Sequence, residues 1–162
     1  DRTGDLFGGG IGRLRAVEKR QRHTGQARSA SCFNLVGAAQ VGKASLSGMR
    51  LFHALGGSIP FWPFDPLPPA GPAIIEIYTS LAARVAGVPA NRSKVRDVAL
   101  LASSLDTLGS RMCATDRLDD HATDSLITAA WMRRAAVDKA LWHPESLDDT
   151  IRRTEGWTFG VV

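Results

Sequence analysis

Six of the chain's eight prolines fall between residues 60 and 72, and this stretch limits the fold more than any other. Proline fixes φ and donates no N–H, so no helix crosses the stretch and no interior strand fits within it. Residues 59–64, apolar and aromatic but broken by Pro60 and Pro63, are therefore predicted to form a short, edge-like strand. Residues 65–72, Asp-Pro-Leu-Pro-Pro-Ala-Gly-Pro, read as a rigid connecting loop. Directly behind it comes Ala-Ile-Ile-Glu-Ile-Tyr, residues 73–78, whose β-branched apolar run suits a buried sheet position.

Helical patterns lie on both sides of these strands. Residues 11–22 form a basic helix with Ile11, Leu14 and Val17 on one side, ended by Gly25. Residues 30–36 read as a short strand. A glycine-punctuated loop from Gly37 to Gly48 leads into a helix over 46–55, stopped by Gly56 and Gly57. A helix is expected over about 80–86. Val95, Val98, Leu101, Leu105 and Leu108 recur at helical spacing over 94–108. After a loop over 109–118, the longest helix is expected from 121 to about 141, capped at its start by Asp119 or Asp120. Residues 156–162 read as a terminal strand. Strands alternating with helices give the fold class α/β.

A length of 162 residues points to one domain, and 44% hydrophobic with 22% charged residues is ordinary globular composition. No apolar run approaches a membrane span, and no signal-like N-terminal pattern occurs. Cys32 and Cys113 lack metal spacing and are too few for a disulfide framework, so both are expected to be buried free thiols. Together these features predict a cytoplasmic protein without a membrane partner.

The charge is concentrated. Residues 11–28 hold Arg13, Arg15, Lys19, Arg20, Arg22 and Arg28 against Glu18 alone, a net +5 in a chain whose total is +4. Such a segment is the electrostatic footprint of a nucleic-acid binder, with Arg13, Arg15, Arg20 and Arg22 as the candidate phosphate contacts. The bland alternative is a solvated terminus. Glu18 either orients an arginine or is a surface residue, and the surface reading is preferred. Residues 1–28 are thus set apart as a basic, partly disordered segment preceding an α/β domain over 29–162.

Three places carry candidate chemistry. Glu76 interrupts an apolar strand, where a charge is costly to bury unless it is paired or metal-bound, and it lies at a strand end, where α/β sheets place their sites. An arginine partner or a solvated strand face would explain it equally. His121 and Asp124 stand three apart on one helical face, and Asp120, four residues before Asp124, shares it. Convergent carboxylates and an imidazole are the ligands a divalent cation needs for phosphodiester cleavage. An acidic first turn complementing the helix dipole is the competing explanation. Trp62, Trp131 and Trp157 are read as core. No G-x-x-x-x-G-K-[ST] phosphate loop is present, which argues against a phosphotransferase.

The ordered series Ser31-Cys32-Phe33-Asn34-Leu35, Gly37-Ala38-Ala39-Gln40-Val41-Gly42, Ser45-Leu46-Ser47-Gly48-Met49, Phe61-Trp62-Pro63-Phe64-Asp65, Glu76-Ile77-Tyr78, His121 to Asp124 and Glu155-Gly156-Trp157 resembles the domain-of-unknown-function family 429, whose members look like RNase H-like nucleases. The His121-to-Ala130 stretch is also similar to the last motif of Holliday-junction resolvases. The chain departs from the family at Thr79, where proline is common, and at Asn34, where glutamine is usual. No strand carries a first catalytic aspartate; Asp1 and Asp5 sit in a glycine-rich stretch. The resemblance therefore implies an RNase H-like mixed sheet with flanking helices, N-terminally incomplete. It further implies metal-dependent hydrolysis of DNA or RNA phosphodiesters, with Glu76, Asp120, His121 and Asp124 holding Mg²⁺ or Mn²⁺ and His121 a ligand or proton carrier. The alternative is a non-catalytic nucleic-acid-binding or structural module of the same fold.

Overall fold

A parallel pair of two-residue strands, β1 (Phe61–Trp62) and β2 (Ile74–Ile75), joins the two ends of the proline-rich stretch, in register Phe61 to Ile74 and Trp62 to Ile75. The computed structural model that shows this describes residues 13–36, 40–92, 94–112 and 118–162. Contacts divide the chain into two units, Asp1–Glu76 with Glu145–Val162, and Ile77–Pro144. Each is mixed α/β or helical, and the described chain is mostly helical. Residues 1–12, including Asp1, Asp5, Ile11 and the expected disorder, lie outside the described residues, as does Cys113.

The first unit contains α1 (Ala16–His23), α2 (Val41–Leu55), both strands and α7 (Asp149–Thr154). Its buried apolar residues are Val17, Trp62, Leu147, Trp157, Phe159 and Val161, with Trp62 and Phe159 edge-to-face at 5.7 Å between ring centroids. Among the described residues, the expected mixed sheet reduces to this parallel pair plus one parallel bridge, Glu76 to Thr158. Pro60 and Pro63 bracket β1, which leaves two residues able to pair. The strand expected over 73–78 is correspondingly short, and Ile74 and Ile75 are half-buried rather than buried.

The strand expected over 30–36 is absent, and the one expected over 156–162 is reduced to the Thr158 bridge. At 30–36 the Ser31 hydroxyl donates to the Arg13 carbonyl at 2.6 Å and accepts from the Phe33 N–H at 3.1 Å, and the Asn34 N–H reaches the Ser31 carbonyl at 3.0 Å. Serine has used local bonds to make a turn where a ladder was expected. At 156–162, Gly156 and Gly160 both adopt positive φ, and the Val161 N–H turns back to the Thr158 carbonyl at 3.2 Å. Helix α2 starts five residues before the expected Leu46 because Gly42 enters it without a side chain. The Gly42 N–H donates to the Asn34 carbonyl at 3.0 Å, and a Cβ there would lie 2.5 Å from the Cys32 carbonyl oxygen.

The second unit is built from α3 (Thr79–Val85), α4 (Val98–Thr107), α5 (Asp120–Ala135) and α6 (Lys139–Trp142), with α5 packed against both α3 and α4. Leu81 and Ala82 of α3, Leu101 and Leu105 of α4, and Ile127, Ala130, Trp131 and Ala135 of α5 are buried. Val95 is buried ahead of α4, whereas Val98 at its first position is exposed. The single long helix expected to reach 141 ends at Ala135. Asp138 accepts from the Ala140 N–H at 3.0 Å and caps the short α6 instead, which breaks the run. As the sequence suggests, Trp62, Trp131 and Trp157 are core residues.

Candidate functional site

Glu76 follows β2 in the first unit and is held by groups from α1 and the C-terminal turn. Arg15, the N-cap of α1, donates from Nη1 to Oε2 at 2.7 Å and from Nη2 to Oε1 at 2.6 Å, and the Thr158 hydroxyl donates to Oε1 at 2.6 Å. The arginine partner considered as one explanation of Glu76 is therefore present. Arg15 also donates from Nε to Glu18 Oε1 at 3.2 Å and from Nη1 to the Glu155 carbonyl at 3.3 Å. Its side chain is 13% exposed, that of Glu76 46%. Burial works against ionisation of Glu76, yet the hydrogen bonds and charge of Arg15, with the Thr158 hydroxyl, outweigh it and hold the carboxyl below its ordinary range.

Glu18 is a correction. It is buried, not a surface residue: it accepts from the Arg15 N–H at 3.0 Å and the Cys32 N–H at 3.0 Å, besides orienting the Arg15 side chain. Three residues beyond the N-cap, it bonds back to the N-cap N–H as the acidic half of a capping box does, while Arg15, which has no acceptor, supplies no reciprocal bond. Cys32 is a half-buried free thiol that burial pushes up, against the lowering effect of Arg15. Of the candidate phosphate contacts, Arg13 and Arg22 are exposed, Arg13 lying over the Phe33 ring at 5.8 Å. Arg20 is half-buried and donates from Nε to the Val162 carbonyl at 2.8 Å. Arg15 faces carboxylates.

Asp120, His121 and Asp124 belong to the second unit, at the N-terminal end of α5. Asp119 is the N-cap, accepting from the Ala122 N–H at 2.8 Å. Asp120 and Asp124 continue the buried stripe that Ile127 and Trp131 carry further along the helix, so their side chains are only 28% and 27% exposed. His121 points to the adjacent, exposed side. The structure thus brings together Asp120 and Asp124 rather than His121 and Asp124. Lys94 Nζ lies between them, 3.2 Å from Asp124 Oδ2 and 4.0 Å from Asp120 Oδ2. Arg96 grips Asp120 at two points, 2.9 and 3.1 Å. Its hydrogen bonds, with the charge of Lys94 and His121, hold Asp120 below the usual carboxylate range. Thr79, the departure from the family pattern at the start of α3, donates its hydroxyl to Asp124 Oδ2 at 3.3 Å. Sequence reading did not find Lys94 or Arg96; the apolar spacing over 94–108 places them in a helix, whereas they lie in the connection before α4 begins at Val98.

No family model, no curated protein and no solved structure matches the chain. Among the described residues, no group of three or more histidine, cysteine, aspartate or glutamate side chains gathers as a metal-holding set. Nor is any helix among them long and apolar enough to cross a membrane. Two carboxylates do suit Mg²⁺, which is commonly held by one or two of them while water and substrate phosphates complete its shell.

Proposed function

We propose that the chain is a cytoplasmic, RNase H-like, metal-dependent nuclease acting on nucleic-acid phosphodiesters. The observation that supports this best is the Lys94 ammonium between Asp120 and Asp124, because a place that already seats a cation between two carboxylates suits a divalent one. Asp120 and Asp124 would hold Mg²⁺ or Mn²⁺. The metal's chemistry would be to generate hydroxide near neutral pH and to stabilise the leaving oxygen. Thr79 fixes the orientation of Asp124 through its hydroxyl. His121, on the exposed side of α5, would carry a proton to or from solvent at a ring nitrogen. The test is Mg²⁺-dependent cleavage of labelled DNA and RNA by the chain, and its loss in Asp124→Asn.

A second reading, a non-catalytic nucleic-acid-binding module, is favoured by the occupancy of both Glu76 oxygens by Arg15 and Thr158. It predicts binding through Arg13 and Arg22 that Mg²⁺ leaves unchanged.

A further inference from the structure

Between α3 and α4 the chain is shaped by one arginine. Arg84, in the last turn of α3, donates from Nη1 to the Val88 carbonyl at 2.7 Å and to the Pro89 carbonyl, and from Nη2 to the Ala90 carbonyl at 3.0 Å. The Arg92 N–H closes a turn on the Pro89 carbonyl at 3.0 Å. Asp97 then caps α4 by accepting from the Leu100 N–H at 2.8 Å. Both ends of this connection are therefore pinned, and Arg92, Lys94 and Arg96 line one shallow depression on it with Asn91 and Asp97. Arg92 is exposed and meets no carboxylate among the described residues, while Lys94 and Arg96 lie against Asp120 and Asp124.

We propose that Arg92, Lys94 and Arg96 form the phosphate-contacting surface for a nucleic-acid strand, with Lys94 and Arg96 held on Asp120 and Asp124 until a divalent cation replaces them there. This deepens the nuclease reading and rests on it. The physical basis is charge. Asp120 and Asp124 together carry −2, which Lys94 and Arg96 already neutralise. A divalent cation on the same carboxylates repels both side chains, and the depression that Arg92 lines is where they can turn. Arg96 is 71% exposed, so it moves with little loss of packing. Phosphates on the depression then stabilise the displaced cations, so metal and strand strengthen each other's binding, as linkage requires.

The experiment is fluorescence anisotropy on the full chain with labelled single-stranded DNA and RNA of one sequence. It is run in chelator and in Ca²⁺, a hard cation with the same oxygen ligands as Mg²⁺. The expected results are a tightening of about fivefold or more on adding Ca²⁺, and metal-free binding by Asp120→Asn/Asp124→Asn at least as tight as wild type in Ca²⁺, with no further response to it. Arg92→Gln/Lys94→Gln/Arg96→Gln should flatten the log–log salt slope by about 2, since three single-strand phosphate contacts contribute about 0.7 each. A double asparagine variant that binds more weakly than wild type, or an unchanged slope in the triple glutamine variant, overturns the inference. So does displacement of the strand by inorganic phosphate at equal concentration, which would assign the surface to a single phosphate. Thermal melts check that each variant folds, and the exposed Arg92→Gln and Arg96→Gln singles carry the test if the triple variant does not. The expected binding pattern without any cleavage would sink the nuclease reading alone; cleavage with an unchanged salt slope would sink only this inference.

Discussion

Arg15 and Glu76, 61 residues apart in sequence, meet in a two-point ion pair at 2.6 and 2.7 Å. The pair fastens the start of α1 to the end of β2, and Glu18 and the Glu155 carbonyl hold the same guanidinium. One arginine thus ties the basic segment into the first unit, so α1 from Arg15 onward is an integral element rather than a tail.

A double-mutant cycle with Arg15→Met and Glu76→Gln should give a coupling of about 1–2 kcal/mol by urea unfolding. That lies above exposed pairs, worth about 0.2–1 kcal/mol, and below the roughly 3–5 kcal/mol lost when a fully buried pair is broken, because Glu76 remains half-exposed. Coupling near zero would show that the pair contributes nothing to the fold.

The same pair sets an acid dependence. Glu76 has a depressed folded pKa, so its contribution is complete above the ordinary glutamate value of 4.5 and is lost as pH falls through the lower folded value. Wild type should lose stability more steeply than Glu76→Gln on acidification below that value. Parallel pH profiles of the two melts would contradict the assignment.

Gly156 and Gly42 should resist substitution for different reasons. At Gly156, with φ of 71°, alanine costs about 1–2 kcal/mol of left-handed strain. Its Cβ would also meet the Phe64 ring at 2.8 Å, a contact that half-exposed Phe64 can relieve by moving. At Gly42 the obstacle is backbone, the Cys32 carbonyl at 2.5 Å, which cannot swing away. Gly42→Ala should therefore lower the melting temperature more than Gly156→Ala does, and the reverse order would show that the entry to α2 is looser than described.

The helices were legible where apolar residues recur at helical spacing, as at Leu101 and Leu105 of α4. The strands over 30–36 and 156–162 were misread because Ser31, Gly156 and Gly160 act through turns, and single-residue turn chemistry does not alter an apolar pattern. Asp120 with Asp124 was legible as an i, i+4 pair. Lys94 and Arg96 were not, since they reach the carboxylates from a connection whose shape Arg84 sets through backbone carbonyls. The expectation that Arg15 contacts phosphate came from counting charge, which cannot see that Glu18 and Glu76 surround it.

On the non-catalytic reading, nucleic-acid binding by the basic segment should depend on Arg13 and Arg22, the two candidates that are exposed. Replacing both with glutamine should flatten the salt slope by about 1.5, near 0.7–0.9 for each phosphate released. Arg15→Gln should instead lower stability and leave the slope close to wild type. A slope that responds to Arg15 as much as to Arg13 would mean the ion pair opens on binding.

The central claim is most directly tested by incubating end-labelled DNA and RNA with wild type and Asp124→Asn, purified side by side, in Mg²⁺ and in chelator. Wild type should cleave in Mg²⁺ and not in chelator, and Asp124→Asn should lose more than about 100-fold, beyond what an outer-shell change costs. Equal Mg²⁺-dependent cleavage by both proteins, or bound nucleic acid left intact by wild type in Mg²⁺, would contradict it.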